Sequence, residues 1–418
     1  MSTVVIIAVG SRGDVAPLTG VGVALQRAGH QVAVAAYTPF ADMITNCGLA
    51  FRELPAALEL ASDGAEVAPM KGLAAFASPA GMRALGNDIL TAVAQGSADI
   101  VLMSPFAEMA GHPLAEAKGI PSLGVRLQPL SATTSYPPAA LGAWSGGAAA
   151  NRRAAVTGSW IVDRLYGGVI AGLRRELGLP KISARKLRRH RTNAQWPVMH
   201  GYSPLVAPRP VDWRPGLEVT GYWWPAPAAD WLPPVELTDF LAAGPAPVFV
   251  GFGSMMTTPQ RAEQTSSTIA HAAQNAGVRA IVQAGWTGLE VVDENVLTIG
   301  EAPHEWLFPR VAAVAHHCGA GATAAGIRAG VPTVALPAYG DGPFWARRIT
   351  ELGVCAATIN QRSLNVDRLA EAMRTAVSDT QLRETSQLLG ARIAREDGAA
   401  TVVQAVESLL HLSAKEAT

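Results

Sequence analysis

The chain has 418 residues, a length that suggests two or three domains. Lysine and arginine together number 33, as do aspartate and glutamate, and this zero net charge argues against a nucleic-acid binder that works through bulk positive charge. Hydrophobic residues make up 49% and charged residues only 16%, which excludes disorder over most of the chain.

Cysteine usage and the N-terminal residues bear on the cellular compartment. The 3 cysteines, Cys47, Cys318 and Cys355, are far apart and lack metal-ligand spacing, which favours a reduced, cytoplasmic environment. No positively charged segment precedes the short apolar run that starts at Thr3, so the run is interpreted as a strand and not as a signal peptide. The sequence also lacks an apolar stretch of about 20 residues, so no membrane span is predicted.

The first half of the chain predicts a βαβ unit. Residues 3–9 form a continuous apolar, β-branched run, which is typical of a parallel strand buried on both faces. A loop over residues 10–14 follows, Pro17 stands where a helix would begin, and Gly29 stops that helix. Residues 31–37 form the next strand, and the crossover between the two strands should be right-handed.

The same alternation returns in the second half. The predicted strands cover residues 248–250, 279–283, 296–299, 312–316 and 333–336. The predicted helices cover residues 259–276, 321–329 and 343–352. Two copies of this alternation predict an α/β protein with two doubly wound domains.

A proline-rich stretch separates the two halves. Prolines recur through residues 203–247 and are expected to break any helix there, so the stretch is interpreted as an interdomain linker. Its interleaved tryptophans are Trp213, Trp223, Trp224 and Trp231. They are expected to pack against domain surfaces, with a ligand platform as the alternative. After the second half, an amphipathic helix is predicted over residues 399–412.

The strongest local motif is residues 316–323 (HHCGAGAT), between a predicted buried strand and a helix. Free backbone N–H groups and the positive end of a helix bind phosphate at such a place. Small residues at 319–322 let a pyrophosphate approach the backbone, Thr323 can add a hydrogen bond, and His317 can donate to a phosphate oxygen. Tight packing is the alternative explanation for the small residues, and His316 is equally consistent with a core histidine.

Several other nucleotide and metal motifs are missing from the sequence. There is no Walker pattern with its lysine and no three-glycine dinucleotide fingerprint followed by an acid. There is also no Asp-x-Asp pair to bridge a metal and a pyrophosphate, and no His-Glu-x-x-His zinc helix. Neither a metal nor a cofactor is therefore predicted.

Two aspartates follow predicted strands at the carboxyl edges of the sheets, where ligands bind in open α/β folds. Asp14 can act as a general base, because a carboxylate among apolar neighbours has a raised pKa. Its position alone favours the alternative, an N-cap for the first helix. Asp341, in the motif AYGDGP over residues 338–343, can hold sugar hydroxyls or cap the next helix.

Taken together, these motifs resemble glycosyltransferase family one, in the subgroup of sterol glucosyltransferases and bacterial glycopeptide-antibiotic glycosyltransferases. The matches to its nucleotide-sugar site are residues 248–255 (VFVGFGSM), 303–310 (PHEWLFPR) and 316–345. The N-terminal and central matches are residues 10–15 (GSRGDV), 127–130 (LQPL) and 220–223 (TGYW). The resemblance covers nearly the whole chain, in order.

The resemblance implies a GT-B fold, in which two facing Rossmann-like domains enclose a cleft. Residues 1–205 would form the acceptor domain and residues 246–398 the nucleotide-sugar donor domain. The Pro/Trp-rich linker would span residues 206–245, and the C-terminal helix 399–418 would pack back on the first domain.

The resemblance also assigns roles to residues. Asp14 would be the catalytic base, with Ser11 beside it. The residues implied in donor binding are Gly253, Ser254, Ala302, Pro303, His317, Gly319, Gly321, Ala322, Thr323, Asp341 and Gly342. Gln128 and Tyr136 are expected to contact the acceptor. The acceptor loops would lie near residues 59–96 and 128–144, whose apolar composition suits a bulky hydrophobic acceptor such as an aglycone, sterol or lipid.

Three positions depart from the family pattern. Ala322 keeps its backbone N–H but lacks the hydroxyl of the threonine found in many relatives. Ala325 replaces the glutamate that holds the ribose hydroxyls in the plant branch, so a thymidine donor is permitted. Gly342 stands where glucose-using relatives commonly have glutamine, and losing its hydrogen bonds to the sugar would weaken glucose binding by about 1–3 kcal/mol. The donor is therefore predicted to be a deoxysugar, unless another residue or water fills the gap.

The sequence thus predicts an inverting, metal-independent transfer of a sugar from a UDP- or TDP-sugar to a hydroxyl of a hydrophobic acceptor, with cleft closure excluding water. Two alternatives stay open: a nucleotide-sugar 2-epimerase of the same fold, and a non-catalytic helper protein. The basic run at residues 185–191 (RKLRRHR) is either a solvated surface segment or a contact with anionic lipid head groups.

Overall fold

The computed structural model describes residues 1–55, 75–227, 231–255 and 257–416. Its strands form two parallel sheets, one of 7 strands in the order β3-β2-β1-β4-β5-β6-β7 and one of 6 strands in the order β10-β9-β8-β11-β12-β13. Helices connect most successive strands of each sheet, and the two doubly wound α/β domains predicted from the sequence are confirmed.

The strands of the first sheet are β1 (Thr3–Ile7), β2 (Gln31–Tyr37), β3 (Ala50–Leu54), β4 (Ile100–Met103), β5 (Ser122–Arg126), β6 (Val198–His200) and β7 (Leu217–Val219). The strands of the second sheet are β8 (Val248–Gly251), β9 (Ala280–Gln283), β10 (Val296–Ile299), β11 (Ala313–His316), β12 (Thr333–Ala335) and β13 (Cys355–Thr358).

The α-helices before residue 227 are α1 (Arg12–Arg27), α2 (Ala41–Thr45), α3 (Pro79–Ala94), α4 (Glu108–Lys118), α5 (Ala148–Glu176) and α6 (Ala184–Asn193). Those after residue 230 are α7 (Val235–Ala242), α8 (Pro259–Ala276), α9 (His304–Leu307), α10 (Ala320–Ala329), α11 (Gly342–Glu351), α12 (Val366–Ser378), α13 (Thr380–Ile393) and α14 (Gly398–Glu416). Short 3-10 turns lie at Thr38–Phe40, Ala139–Leu141, Phe308–Arg310 and Gln361–Ser363.

Each sheet reverses its strand order at one place, and these places position the site. In the first sheet the reversal lies between β1 and β4, and in the second between β8 and β11. The central strands are buried on both faces; the four residues from Val4 to Ile7 each have 0% exposure. Since loops separate at such a reversal, the carboxyl ends of β1, β8 and β11 border a crevice that can hold a ligand.

Helix α1 begins earlier than the sequence predicted. Pro17 was expected at its start, but Ser11 is the N-cap residue and Pro17 lies inside the helix. The first turn is formed by Arg12, Gly13 and Asp14, so Asp14 belongs to the helix and does not precede it. The expectation that Asp14 is the N-cap is therefore wrong, because Ser11 already occupies that position.

The expectation of a helix-free linker over residues 206–245 is also wrong. Strand β7 pairs with β6 and extends the first sheet to Val219, past the predicted domain end at residue 205. Helix α7 forms because Pro234 precedes it as the N-cap residue and no proline interrupts it. The prolines bracket these elements and do not break them. Trp213 and Trp223 are 4% and 3% exposed, which confirms the packing interpretation for these two tryptophans.

The two domains meet in a shared apolar cluster. Tyr202 and Tyr222 from the first domain and Cys318, Phe344 and Trp345 from the second are all buried in it. The C-terminal helix α14 also crosses between domains, since its Val402 and Val406 lie in the core of the first domain beside β1 and α1. Of the predicted acceptor regions, residues 59–74 lie outside the described residues, and residues 79–94 form helix α3 where a loop was expected.

Candidate active site

Asp14 lies at the carboxyl end of β1, in the first turn of α1. One of its carboxylate oxygens, Oδ2, accepts hydrogen bonds from the backbone N–H of Ser11 at 2.8 Å and from the Ser11 hydroxyl at 2.9 Å. Gly10 has a φ of 146°, and a Cβ there would lie 2.4 Å from the same oxygen, so only glycine lets the carboxylate fold back against the loop. Burial raises the pKa of Asp14, and the hydrogen bonds from Ser11 and the nearby Gln128 side chain oppose that rise.

Asp341 comes from the other domain and approaches the same place. The Gln128 side chain lies near both Asp14 and Asp341 and lowers the pKa of each carboxyl. Burial raises the pKa of Asp341, and the negative charge of Asp14 raises it further. The structure therefore brings together the predicted base, the predicted sugar-binding acid and one predicted acceptor residue across the cleft.

The start of helix α10 is built differently. Its N-cap residue is Gly319, and no side chain caps the free backbone N–H groups of the first turn. Within the described residues, Nδ1 of His317 and Oγ1 of Thr323 are buried without a hydrogen-bond partner. Gly321 and Ala322 lie in this first turn and add no bulk. Unpaired N–H groups, a positive helix end and two unpaired side-chain polar atoms are what an anion such as a diphosphate requires.

Glycines hold the ring of His317 closely. A Cβ on Gly253, in the loop after β8, would lie 3.0 Å from Cε1 of that ring, and a Cβ on Gly319 would lie 2.5 Å from its Nε2. Ser254 follows Gly253 in the same loop. Burial lowers the pKa of His317 to about 4, so the ring is neutral near pH 7 and can donate one N–H.

His316 has a structural role. It is 1% exposed, and its Nδ1 accepts the backbone N–H of Cys318 at 3.0 Å. Burial lowers its pKa to about 3. The backbone bends sharply after this pair, because Cys318 has a φ of 61°, in the left-handed region that favours glycine. The alternative interpretation of His316 as a core histidine is the one that the contacts support.

The remaining predicted donor residues lie at the loop after β10 and at the start of α11. Ala302 and Pro303 precede α9, and their neighbour Glu301 forms an ion pair across the cleft with Arg12, next to the predicted base. At Gly342, a Cβ would lie 2.7 Å from the carbonyl oxygen of His317. The backbone as it stands has no room for a side chain at this position, which sequence reasoning did not anticipate.

Tyr136 does not lie with the other predicted site residues around Asp14 and Asp341. Its ring packs edge-on against Phe344 with ring centroids 5.2 Å apart, and its hydroxyl is buried. Burial raises the pKa of that hydroxyl. Tyr136 therefore lies in the interdomain packing, and its predicted contact with an acceptor stays a prediction.

Sequence reasoning missed Trp345. Its indole Nε1 donates to Oδ2 of Asp341 at 2.9 Å, and the residue is 1% exposed. The only available signal was a spacing of four residues, which places Asp341 and Trp345 on one face of a helix. Over the part of the chain that the structure describes, no group of three His, Cys, Asp or Glu side chains is arranged to hold a metal ion.

Two protein-family models match the chain, one for each domain. The N-terminal domain of glycosyltransferase family 28 matches residues 4–137, and the C-terminal domain of erythromycin biosynthesis protein CIII-like proteins matches residues 253–409. Sterol 3-beta-glucosyltransferases also align along nearly all of the chain. That of Emericella nidulans is 32% identical over 95% of this chain, and that of Candida albicans is 32% identical over 98%.

The chain has the GT-B fold, and it is similar to glycosyltransferases along nearly all of its length. The chain spans less than a third of the length of the curated relatives it matches, 29% and 28% for the two named above. Solved structures share its fold. The kitacinnamycin glycotransferase superposes with a TM-score of 0.67 at 19% identity, covering 98% of this chain and 99% of that one. The Streptomyces sp. SF2575 glycosyltransferase SsfS6, complexed with thymidine diphosphate, gives 0.61 at 20% identity, covering 98% and 100%.

Proposed function

We propose that this protein transfers a sugar, with inversion, from a UDP- or TDP-sugar to a hydroxyl of a hydrophobic acceptor. The observation that carries the proposal is the meeting of Asp14 and Asp341 beside the uncapped start of α10. One carboxylate from each domain and an anion-binding helix end border a single cleft, as a reaction between two substrates requires.

In the proposed mechanism, Asp14 accepts the proton of the acceptor hydroxyl as its oxygen attacks the anomeric carbon. The new C–O bond forms on the face opposite the diphosphate, and the bond from the anomeric carbon to the diphosphate oxygen breaks. The departing diphosphate takes that electron pair, and its negative charge is stabilised by the first turn of α10, by His317 and by Thr323. The raised pKa of Asp14 suits a base, because the carboxylate holds the proton more firmly than an exposed one.

We propose that this step needs neither a metal nor another cofactor. The helix end and the neutral His317 supply hydrogen bonds to the leaving group, which is the task that a metal ion performs in other transferases. The measurement is turnover before and after dialysis against a chelator. Loss of turnover that magnesium or manganese restores would contradict this part of the proposal.

Two observations favour different donor sugars. The aligned relatives are named sterol 3-beta-glucosyltransferases, which favours glucose as the donor sugar. Gly342 favours a deoxysugar, because the glutamine side chain that would bind sugar hydroxyls is missing and the carbonyl of His317 occupies the space where it would start. A competition assay between UDP-glucose and TDP-deoxysugars distinguishes these two donors. A clear preference for UDP-glucose would contradict the deoxysugar proposal.

The acceptor proposal rests on apolar loops and on the same relatives. A sterol is the first acceptor to test, followed by other hydroxylated apolar natural products. The assay incubates the purified chain with donor and acceptor, detects the glycoside by mass spectrometry, and determines the anomeric configuration by NMR. Retention of the donor's configuration would contradict the inverting mechanism.

The two alternatives make different predictions in the same assay. A nucleotide-sugar 2-epimerase would convert the donor in the absence of any acceptor. A non-catalytic helper would bind the donor without turnover and would require a partner protein. The presence of Asp14, His317 and Asp341 in one cleft favours transfer over the helper role.

We also propose that the first domain contacts membranes peripherally while the protein resides in the cytoplasm. Helix α6 carries the basic run 185–191, of which Arg188 is paired with Asp163 at 2.7 Å while Arg185 and Arg189 are exposed. The adjacent helix α5 exposes large apolar side chains: Val156, Trp160, Ile161, Val162 and Leu165. Basic and apolar side chains together suit an anionic lipid surface. No helix in the described ranges is both long and apolar enough to span a bilayer.

Sedimentation with anionic vesicles tests this contact. The variant Arg185→Glu/Arg189→Glu should lose binding, while the control Arg383→Glu/Arg395→Glu, at exposed sites of the second domain, should keep it. If both variants and the unmodified chain sediment equally, the membrane contact is contradicted and the basic run is a solvated surface segment.

A further inference from the structure

Asp341 occupies the N-cap position of α11 but does not cap it. An aspartate at this position ordinarily accepts backbone N–H groups of the first turn. Here no such hydrogen bond forms, and Oδ2 instead accepts the indole N–H of Trp345 at 2.9 Å. The carboxylate is thus turned away from its own helix end and held by a side chain.

Trp345 is fixed by the interdomain packing. Its ring meets that of Tyr202, from the first domain, edge-on at a centroid distance of 5.5 Å, and that of Phe344 at 5.0 Å. Phe344 in turn contacts Tyr136 of the first domain. Residues of both domains therefore pack around the buried indole and hold its orientation.

The rest of α11 is tied to the first domain as well. The guanidinium of Arg348 donates through Nε to the carbonyl of Val206 at 2.8 Å, and that of Arg347 donates through Nη1 to the carbonyl of Ala143 at 3.1 Å. The helix belongs to the second domain by sequence but is anchored on two loops of the first. Any shift between the domains must move the donor group that holds Asp341.

We propose that Trp345 is a positioning residue: its N–H aims the Asp341 carboxylate at the donor sugar, and its anchoring makes sugar recognition depend on how the two domains are seated. This inference rests on the proposed role of Asp341. The side-chain hydrogen bond that holds this carboxylate comes from Trp345, and Gln128 of the first domain lies near enough to lower its pKa as well. A buried carboxylate needs hydrogen-bond donors to stay ionised. Removing one donor destabilises the ionised form, because the lost hydrogen bond no longer offsets the desolvation of the charge.

The test replaces Trp345 with phenylalanine, which keeps an aromatic ring and removes the N–H. The Trp345→Phe variant should lose roughly 10- to 100-fold in kcat/KM for the nucleotide sugar, because a hydrogen bond to a charged group is lost. Its affinity for the free nucleoside diphosphate, which lacks the sugar, should stay unchanged. The acid limb of the pH profile of kcat/KM should move to higher pH, since the Trp345 hydrogen bond lowers the pKa of Asp341.

A matched control is available in Trp223, which is 3% exposed and donates its Nε1 to the Thr220 hydroxyl at 3.0 Å. Trp223→Phe loses the same atoms from a buried site but should leave both the sugar dependence and the pH profile in place. If Trp345→Phe fails to fold, benzothienylalanine at position 345 replaces the N–H by sulfur and keeps the ring shape.

Asp341→Asn distinguishes the proposed role of Asp341 in sugar binding from the positioning role of Trp345. If this variant leaves kcat/KM for the nucleotide sugar unchanged, the proposed role of Asp341 is wrong. If Asp341→Asn is impaired but both Trp345 variants behave as the unmodified enzyme, the inference about Trp345 is overturned. Equal weakening of free nucleotide and nucleotide-sugar binding in the Trp345 variants would also overturn it, since that pattern indicates a merely structural role.

Discussion

Two strand-to-helix turns of this protein follow the same plan and use their helix ends in opposite ways. After β1, the carboxylate of Asp14 folds back onto Ser11, so the start of α1 is occupied by the protein's own acid. After β11, the N-cap is Gly319 and no side chain covers the start of α10. Since both turns offer the same backbone N–H groups, a turn whose N–H groups are filled by a carboxylate can supply the proposed base, whereas a turn that leaves them free can bind an anion.

Burial acts on the two turns with opposite sign. It raises the pKa of the Asp14 carboxyl and lowers the pKa of His317 to about 4. In both cases the neutral form is favoured, because a low-dielectric surrounding penalises charge. The Asp14 carboxyl therefore holds a proton more firmly than an exposed carboxyl, which suits a proton acceptor. The His317 ring stays neutral with one N–H, which suits a hydrogen-bond donor.

The largest effect is expected from removing the charge in the first turn. Asp14→Asn should lower turnover at least about a hundredfold, because general base catalysis is typically worth that much, while nucleotide affinity stays near that of the unmodified chain. Asparagine keeps an oxygen that can accept the Ser11 hydrogen bonds, so the fold should be retained. Near-normal turnover in this variant would remove Asp14 as the base.

A smaller effect is expected from the second turn, and on binding. His317→Ala and Thr323→Ala should each weaken nucleoside diphosphate binding by about tenfold, the loss of one hydrogen bond to a charged group. Thr323→Ala should not lower the free energy of unfolding, since its hydroxyl has no partner among the described residues. Calorimetric titration measures the affinity. Unchanged affinity in both variants would place the diphosphate elsewhere.

The pH dependence of stability distinguishes the two turns. Burial lowers the pKa of His316 to about 3 and that of His317 to about 4, from 6.5. Below 6.5 the unfolded chain takes up protons that the folded chain refuses, so stability is lost as pH falls through that window. Asp14 has the opposite effect. Because its pKa is raised in the folded state, the fold loses stability as the pH rises above 3.8 and through the folded-state pKa, and this loss is absent below 3.8.

Denaturant unfolding at a series of pH values checks this prediction. His316→Asn keeps an acceptor for the Cys318 N–H and should flatten the loss of stability on acidification, whereas the exposed control His271→Asn should not. An unaltered slope in His316→Asn would show that His316 does not cause the acid loss.

The smallest effect is expected from the ion pair that joins the first turn to the second domain. Arg12 and Glu301 are 48% and 58% exposed, so Glu301→Gln should cost no more than about 1 kcal/mol of stability. The difference should shrink at high salt, because exposed charges are screened. Unfolding measured at low and high salt checks this, and a large, salt-independent loss would show that the pair does more than bridge the cleft.

Much of the fold could be predicted from the sequence, because its signals are local. The apolar run from Val4 to Ile7 has 0% exposure in the structure, as a strand buried on both faces should. Pro259 and Gly277 bracket α8, and the predicted strand at residues 31–37 has the bounds found. The prolines of the central stretch led to the wrong prediction of a helix-free linker, because the sequence pattern does not show whether a proline precedes a helix or strand or interrupts it.

For the site, the sequence by itself determined which residues lie at the carboxyl ends of the strands, because a strand, a turn and a helix follow each other along the chain. It therefore identified Asp14, His317 and Asp341 as candidates. Only the tertiary structure decided that Gln128 lies near both aspartates, that Trp345 donates to Asp341, and that Gly342 lies against the carbonyl of His317. These contacts join segments far apart in the chain, some across two domains, and their geometry depends on how separately folded cores pack together, which no local pattern encodes.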